Sequence, residues 1–137
     1  MSLTVTPVGY VRSALTDPAL APKQGPEGAP NAWVEIDGQF AAGMLGLRTG
    51  QDVVLVTWLH RARRDLLQVH PRDDTAAPLT GVFATRSADR PNPVGLHRVT
   101  ILQLVGSRIE VGPLEAVDGT PVLDIKPVLP WEAGTRP

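Results

Sequence analysis

Proline and glycine recur so often along this chain that no long helix fits between them. The 137 residues include 14 prolines and 13 glycines, and a proline inside a helix removes a backbone hydrogen bond and clashes with the preceding turn. The apolar runs between these breakers are short and rich in valine, while aromatic residues make up only 4% of the chain. Because β-branched residues favour strands, the sequence predicts a mainly β protein.

The apolar runs predict about six or seven short strands with few short helices between them. Several short strands separated by turn residues are typical of a barrel or closed sheet, so we expect a small single-domain β-barrel. Residues 14–31 contain too much proline for a regular element and predict a long loop that is either functional or disordered. The predicted strands lie in LTVTPVGYVRS, AWVEID, DVVLVTWLH, TGVFATRS, GLHRVTILQLVGSRIEVG and the end of LEAVDGTPVLDIKP, and FAAGMLGL predicts one short helix.

The length of the chain indicates one domain. A chain of 137 residues can bury one core but not two, so we expect a single domain over residues 1–137 with no C-terminal extension domain. The absence of cysteine excludes disulfides and thiolate metal sites. Neither a leader peptide nor an apolar run of about 18 residues is present. We therefore expect a cytoplasmic protein with no membrane partner.

Positive charge is concentrated in the middle of the chain. The net charge is −1, yet residues 61–98 hold seven arginines and four aspartates, which gives this segment a local charge of +3. A basic surface attracts phosphate groups. The alternative is that these arginines are ordinary solvated surface residues.

The loop in GVFATRSADRPNPVG, residues 81–95, places Arg86, Arg90 and Asn92 beside two prolines. Pro91 and Pro93 restrict the backbone, so the loop loses little entropy when a ligand binds. Stiff loops on a β scaffold are where binding residues concentrate. On the residues alone a second interpretation stays open, in which the prolines end a strand and Asn92 bonds its own turn.

The common cofactor and metal motifs are absent from the sequence. There is no G-x-G-x-x-G, no P-loop and no H-E-x-x-H. His60, His70 and His97 do not form a helical i, i+4 pair. The sequence therefore predicts no metal site.

Four ordered blocks resemble the signature blocks of the TsaA-like, or YaeB-like, methyltransferases. They are PVGYVRS, PKQG, GVFATRSADRPNPVGL and LEAVDGTPVLDIKP, and the resemblance extends from about Val5 to Pro130. It implies a small β-barrel, S-adenosylmethionine as the methyl donor, and a homodimer. It also implies tRNA as a partner, through N6-methylation of threonylcarbamoyladenosine next to the anticodon.

The resemblance implies a donor site as well. S-adenosylmethionine carries a sulfonium, an ammonium and a carboxylate, so its site needs both basic and acidic or carbonyl groups. Methyl transfer is an in-line displacement that depends mainly on positioning and needs no covalent nucleophile. The matching positions are Pro22, Lys23, Gln24, His60, Arg61, Arg86, Leu96, Glu115, Ala116, Val117 and Asp118.

The catalytic residue is left open among Asp118, His60 and Arg90. The candidates for contact with the acceptor are Arg63, Arg64, Arg90 and Asn92. Two alternatives remain: a methyltransferase for a small molecule or other acceptor, and a noncatalytic β domain that binds a nucleotide or another anion. One departure is notable, because His97 stands where a serine is common in relatives.

Overall fold

The computed structural model describes residues 1–133, so the last four residues of the predicted domain lie outside it. Within these residues six strands close an antiparallel barrel in the order β1-β2-β7-β6-β3-β8, and β4 pairs with β5 beside it. The predicted mainly β barrel is confirmed. The strands are β1 (Gly9–Arg12), β2 (Ala32–Ile36), β3 (Asp52–Trp58), β4 (Gln68–Val69), β5 (Thr80–Gly81), β6 (Val94–Val105), β7 (Arg108–Gly112) and β8 (Pro121–Pro127).

The helices are few and short, as expected from the prolines. The longest is a 3₁₀ helix, Gly38–Met44, which covers most of the predicted short helix and begins after Asp37. The Asp37 carboxylate accepts a hydrogen bond of 3.1 Å from the Gln39 N–H and so caps that helix. The others are 3₁₀ turns at Pro18–Leu20, Gly25–Glu27, Pro71–Asp73 and Val82–Ala84, and the α-helix α1 at Pro130–Ala133.

Alternation along β3 and β6 places two polar side chains, Thr57 and His97, in a mostly aliphatic core. In β6 the positions that face inward are Gly95, His97, Val99 and Ile101, as period-two geometry requires. Most of the barrel interior is aliphatic, and each fully buried side chain of this kind stabilises the fold by roughly 1.5 to 3 kcal/mol. Its most deeply buried members are Val11, Val34, Val53, Leu55, Ile101, Ile109, Val111, Leu114 and Val122.

The predicted strand TGVFATRS is wrong beyond its first two residues. Pairing with β4 ends after Thr80–Gly81, and the chain then turns through Val82–Ala84. The Val82 carbonyl accepts from both the backbone N–H and the hydroxyl of Thr85, each at 3.0 Å. Because these local bonds compete with a strand ladder, the segment becomes a turn.

Side chains from the rest of the fold hold the long loop 14–31 in place. Arg61 donates to the Thr16 carbonyl at 2.6 Å, and Lys23 Nζ lies 2.5 Å from Asp73 Oδ2. A second ion pair joins Arg72 to Glu27 at 2.7 Å. No helix within residues 1–133 has the length and apolar character needed to cross a bilayer.

Candidate functional site

A cavity of about 1330 Å³ opens at the end of the barrel where β3 finishes and β6 starts. These two ends lie side by side because Trp58 pairs with Val94 in the antiparallel ladder. Loop 14–31 and residues 84–92 form its walls, and residues 115–117 complete it. Ligand pockets usually measure roughly 300 to 1,000 Å³, so the cavity has room for a nucleoside-sized ligand and a second reacting group.

With one exception, the residues predicted for the donor site line this cavity. Asp118 lies apart from it, at the base of loop 14–31. Its carboxylate accepts from the Ser13 N–H at 3.0 Å, and its own N–H donates to the Leu15 carbonyl at 2.6 Å. The residues that line the cavity are Pro22, Lys23, Gln24, His60, Arg61, Arg86, Leu96, Glu115, Ala116 and Val117.

Three of the four residues predicted to contact the acceptor line the cavity, and one does not. Arg63, Arg90 and Asn92 line the cavity, whereas Arg64 does not. The Arg64 guanidinium lies over the Trp58 ring at 4.9 Å and donates from Nη2 to Asn92 Oδ1 at 3.2 Å. Arg64 therefore braces the loop that carries Asn92.

Arg90 is also engaged by its own loop. Its guanidinium donates to the backbone carbonyls of Val82, Thr85 and Ser87, and its backbone N–H donates to the Arg63 carbonyl at 3.1 Å. A planar guanidinium can satisfy several carbonyls at once. Arg90 thus holds residues 82–90 as a compact wall of the cavity.

Other charged side chains at the cavity are paired to different degrees. Arg63 forms a two-point ion pair with Asp65, at 3.0 and 2.9 Å; this contact raises the pKa of Arg63 and lowers the pKa of Asp65. Lys23 is paired with Asp73, whose pKa it lowers. By contrast, no hydrogen bond or ion pair within residues 1–133 engages the side chains of Arg86 and His60. These two groups are available to a ligand.

The sequence prediction missed a buried polar network at the cavity floor. His97, whose side chain is 4% exposed, lies with Nδ1 2.5 Å from Glu115 Oε1 and Nε2 2.7 Å from Thr57 Oγ1. The signal was present in the sequence, because His97 occupies an inward position in the alternation of β6. Its partners were not apparent, since they come from a different strand and a distant loop.

The closed barrel and its cavity at a strand end define a TsaA-like β-barrel domain. Residues 10–132 match the family described as the tRNA-methyltransferase O N-terminal domain, and the chain belongs to that family.

Relatives and solved structures agree with this assignment. A protein of Pyrococcus horikoshii named as a probable S-adenosyl-L-methionine-binding protein is 40% identical over 126 residues, covering 89% of this chain and 79% of the relative. A protein of the same description from Archaeoglobus fulgidus is 40% identical over 127 residues, covering 93% of this chain and 34% of the relative. The crystal structure of TrmO from Pseudomonas aeruginosa superposes with a TM-score of 0.76 at 29% identity, covering 99% of this chain.

The match with the TrmO structures covers only part of those proteins. Another Pseudomonas aeruginosa TrmO crystal structure, with a TM-score of 0.70 and 32% identity, is matched over 96% of this chain. The chain spans 56% of that protein and 60% of the one above. The shared part includes nearly all of this chain.

Proposed function

We propose that this protein is an S-adenosylmethionine-dependent methyltransferase that binds its donor in the cavity at the end of β3 and β6. The supporting observation is that residues from three of the four signature blocks, together with the end of β3, converge on one cavity. The family of the chain is that of a methyltransferase domain. A pocket with a few convergent polar groups is the usual form of a small-molecule site.

The chemistry of the cavity fits the donor. Arg86 is exposed, and its guanidinium makes no hydrogen bond or ion pair within residues 1–133, which suits the carboxylate of the methionyl group. Glu115 supplies a carboxylate for the positive charges of the donor, and Ala116 and Val117 supply backbone groups that can read an adenine edge.

When bound, S-adenosylmethionine supplies an electrophilic methyl carbon. The work of the protein is to hold the acceptor nitrogen in line with that carbon and to exclude water, which can carry most of the acceleration. His60 is the proposed acceptor of the proton that the nitrogen loses, because it lines the cavity and its ring makes no hydrogen bond within residues 1–133. Asp118, which lies outside the cavity, is the weaker candidate.

The proposed acceptor is the N6 nitrogen of threonylcarbamoyladenosine next to the tRNA anticodon. Support comes from the family description and from the basic side chains at the cavity, Arg61, Arg63 and Arg86. Arginines near a nucleoside site can contact the flanking phosphates. If they do, activity should fall steeply with salt.

The decisive experiment supplies purified protein with isotope-labelled donor and tRNA that carries the threonylcarbamoyl group. Unmodified tRNA is the control. We expect label in the modified adenosine only, detected by mass spectrometry of the nucleosides. Donor binding without transfer to this tRNA would reject the proposed acceptor.

A second candidate is methyl transfer to a different acceptor, such as a small molecule. The observation that favours it is that Arg64 and Arg90, both predicted to contact tRNA, are engaged by the fold. A third, noncatalytic role rests on the relatives, whose names specify donor binding alone. Donor turnover with any acceptor separates the first two proposals from this one.

We also propose a homodimer. The cavity lining described above comes from one chain. The homodimer proposal rests on exposed apolar side chains next in sequence to the cavity lining. Leu20, Leu67 and Phe83 are 78%, 67% and 86% exposed. Light scattering at micromolar concentration should give twice the monomer mass, and a monomer mass alone would contradict the proposal. A cytoplasmic location stays a prediction.

A further inference from the structure

His97 is held on both edges of its ring by the polar network below the cavity. Both ring nitrogens are occupied, Nδ1 by Glu115 at 2.5 Å and Nε2 by Thr57 at 2.7 Å. An ionised carboxylate only accepts hydrogen bonds, so Nδ1 carries a proton and donates it to Glu115. The Thr57 hydroxyl then fixes the other edge of the ring, in the way that a second partner fixes the orientation of a functional histidine.

The backbone around the network is fitted to this arrangement. A Cβ atom on Gly95 would lie 2.5 Å from Thr57 Oγ1 and 2.7 Å from His97 Nε2. Both distances are shorter than van der Waals contact allows. The hydrogen bond between Thr57 and His97 therefore requires glycine at position 95.

His97 is the side chain that engages the Glu115 carboxylate. Among residues 1–133 no lysine or arginine nitrogen lies within 4.0 Å of Glu115, whose side chain is 15% exposed. Its second oxygen, Oε2, lies beside loop 14–31, 3.2 Å from where a Cβ on Gly25 would stand. The carboxylate thus lies at the junction of barrel floor and loop, at the edge of the cavity.

The other carboxylates of the cavity are already engaged. Asp73 is paired with Lys23, and Asp89 accepts the Arg63 N–H at 2.8 Å. Several arginines share the same cavity. Glu115 is 15% exposed, so its charge is weakly screened by water and attracts a ligand that carries a fixed positive charge.

We propose that His97 is a positioning residue that holds Glu115 as the counter-charge for the sulfonium of the donor. This proposal rests on the proposed donor. Its consequence is selectivity, because the demethylated product has a neutral thioether in place of the sulfonium. The network favours the charged donor and lets the neutral product leave.

Calorimetry of S-adenosylmethionine and of its demethylated product, each with the wild-type protein and three variants, tests the idea. His97→Ala should weaken donor binding about tenfold and product binding less than about twofold. His97→Asn, which keeps an N–H donor near the position of Nδ1, should restore most of the difference. Thr57→Val removes only the hydroxyl and should give a smaller loss with the same preference.

The outcomes separate this proposal from the one it depends on. If the wild-type protein binds neither ligand, the proposed function itself fails. If it binds both and His97→Ala weakens the two equally, or changes neither, the role of His97 is rejected. Should His97→Ala unfold, His97→Asn and Thr57→Val decide the matter, and equal changes for the two ligands in those variants reject it as well.

Discussion

Lys23 and Asp73 join two segments of the cavity wall that are fifty residues apart in the chain, with Nζ 2.5 Å from Oδ2. Beside them Arg72 and Glu27 make a second pair in the opposite sense, so that each segment contributes one acid and one base. Arg72 and Asp73 both adopt positive φ, 56° and 60°, which is uncommon for residues other than glycine. The two ion pairs, Lys23–Asp73 and Arg72–Glu27, hold these segments together at the cavity wall, and we call them the latch.

Breaking the latch should speed donor release. We expect Asp73→Asn to raise the dissociation rate of the donor severalfold at low salt and to have little effect near 1 M salt, where surface ion pairs are screened. Stopped-flow displacement measures this. Asp124→Asn, which breaks an exposed pair with Lys126, is the matched control and should leave the rate unchanged.

The latch should also respond to acid. Lys23 holds the pKa of Asp73 below its ordinary value of 3.8, so the pair stabilises the joined segments above that pH. This stabilisation is lost as the pH falls through the lowered pKa. The protection of residues 14–31 against hydrogen exchange, taken relative to the intrinsic rate at each pH, should therefore fall at acid pH, and Asp73→Asn should abolish that step. An unchanged step in the variant would contradict the assignment.

Arg86→Ala should weaken donor binding. The guanidinium lines the cavity and has no hydrogen-bond or ion-pair partner within residues 1–133. Its removal therefore leaves the fold intact and takes away one charge-assisted contact, worth about 1.5 to 3 kcal/mol if the bound carboxylate is desolvated. Calorimetry measures the change. Arg48→Ala removes an exposed arginine that does not line the cavity, and should have no effect. Equal donor affinity in the two variants would count against a role for Arg86.

In contrast to Arg86, we expect Arg90 to contribute to the stability of the fold. Arg90→Lys replaces the two guanidinium nitrogens that reach the three carbonyls with a single nitrogen on a stem of different shape. We therefore expect a loss of roughly 1 to 3 kcal/mol in the free energy of unfolding. Urea denaturation measures this. Arg108→Lys keeps the contact of a cation with the Trp33 ring and should be nearly neutral. A loss of turnover with unchanged stability would instead return Arg90 to the catalytic residues.

His60→Asn should lower kcat more than donor affinity. Loss of a proton acceptor typically costs about 100-fold or more, whereas the amide keeps a polar group of similar shape. His70→Asn is a control within the same cavity lining, because the His70 ring is bound to the Ala77 carbonyl at 2.9 Å and asparagine keeps a donor there. A kcat within about twofold of wild type for His60→Asn would leave positioning alone to explain the rate.

The alternation of short apolar runs was enough to predict most of the barrel. Two strands around the turn at Gly106 and one strand after Gly119 followed directly from the sequence. The segment after Thr80 was mistaken for a strand, because β propensity does not reveal local hydrogen bonds from the Thr85 hydroxyl and the Arg90 guanidinium.

The site was less predictable than the fold. The family resemblance identified ten donor-site residues that line the cavity, yet spacing could not show that Arg64 and Arg90 hold the loop 82–92 in place. His97 was overlooked since its partners, Thr57 and Glu115, are brought to it only by barrel closure. Contacts between distant strands depend on register, which a single sequence does not supply.

The strands and the loops around the cavity differ in how well they tolerate substitution. The floor is built on β3 and β6, where a substitution such as one at Gly95 disturbs both the ladder and the buried network. The walls are loops, in which replacements and insertions cost the barrel little. Descendants of such a chain can therefore acquire new acceptors by altering the walls while the floor keeps the same donor. A designer who wants a new methylation target should randomise residues 14–31 and 84–92 first.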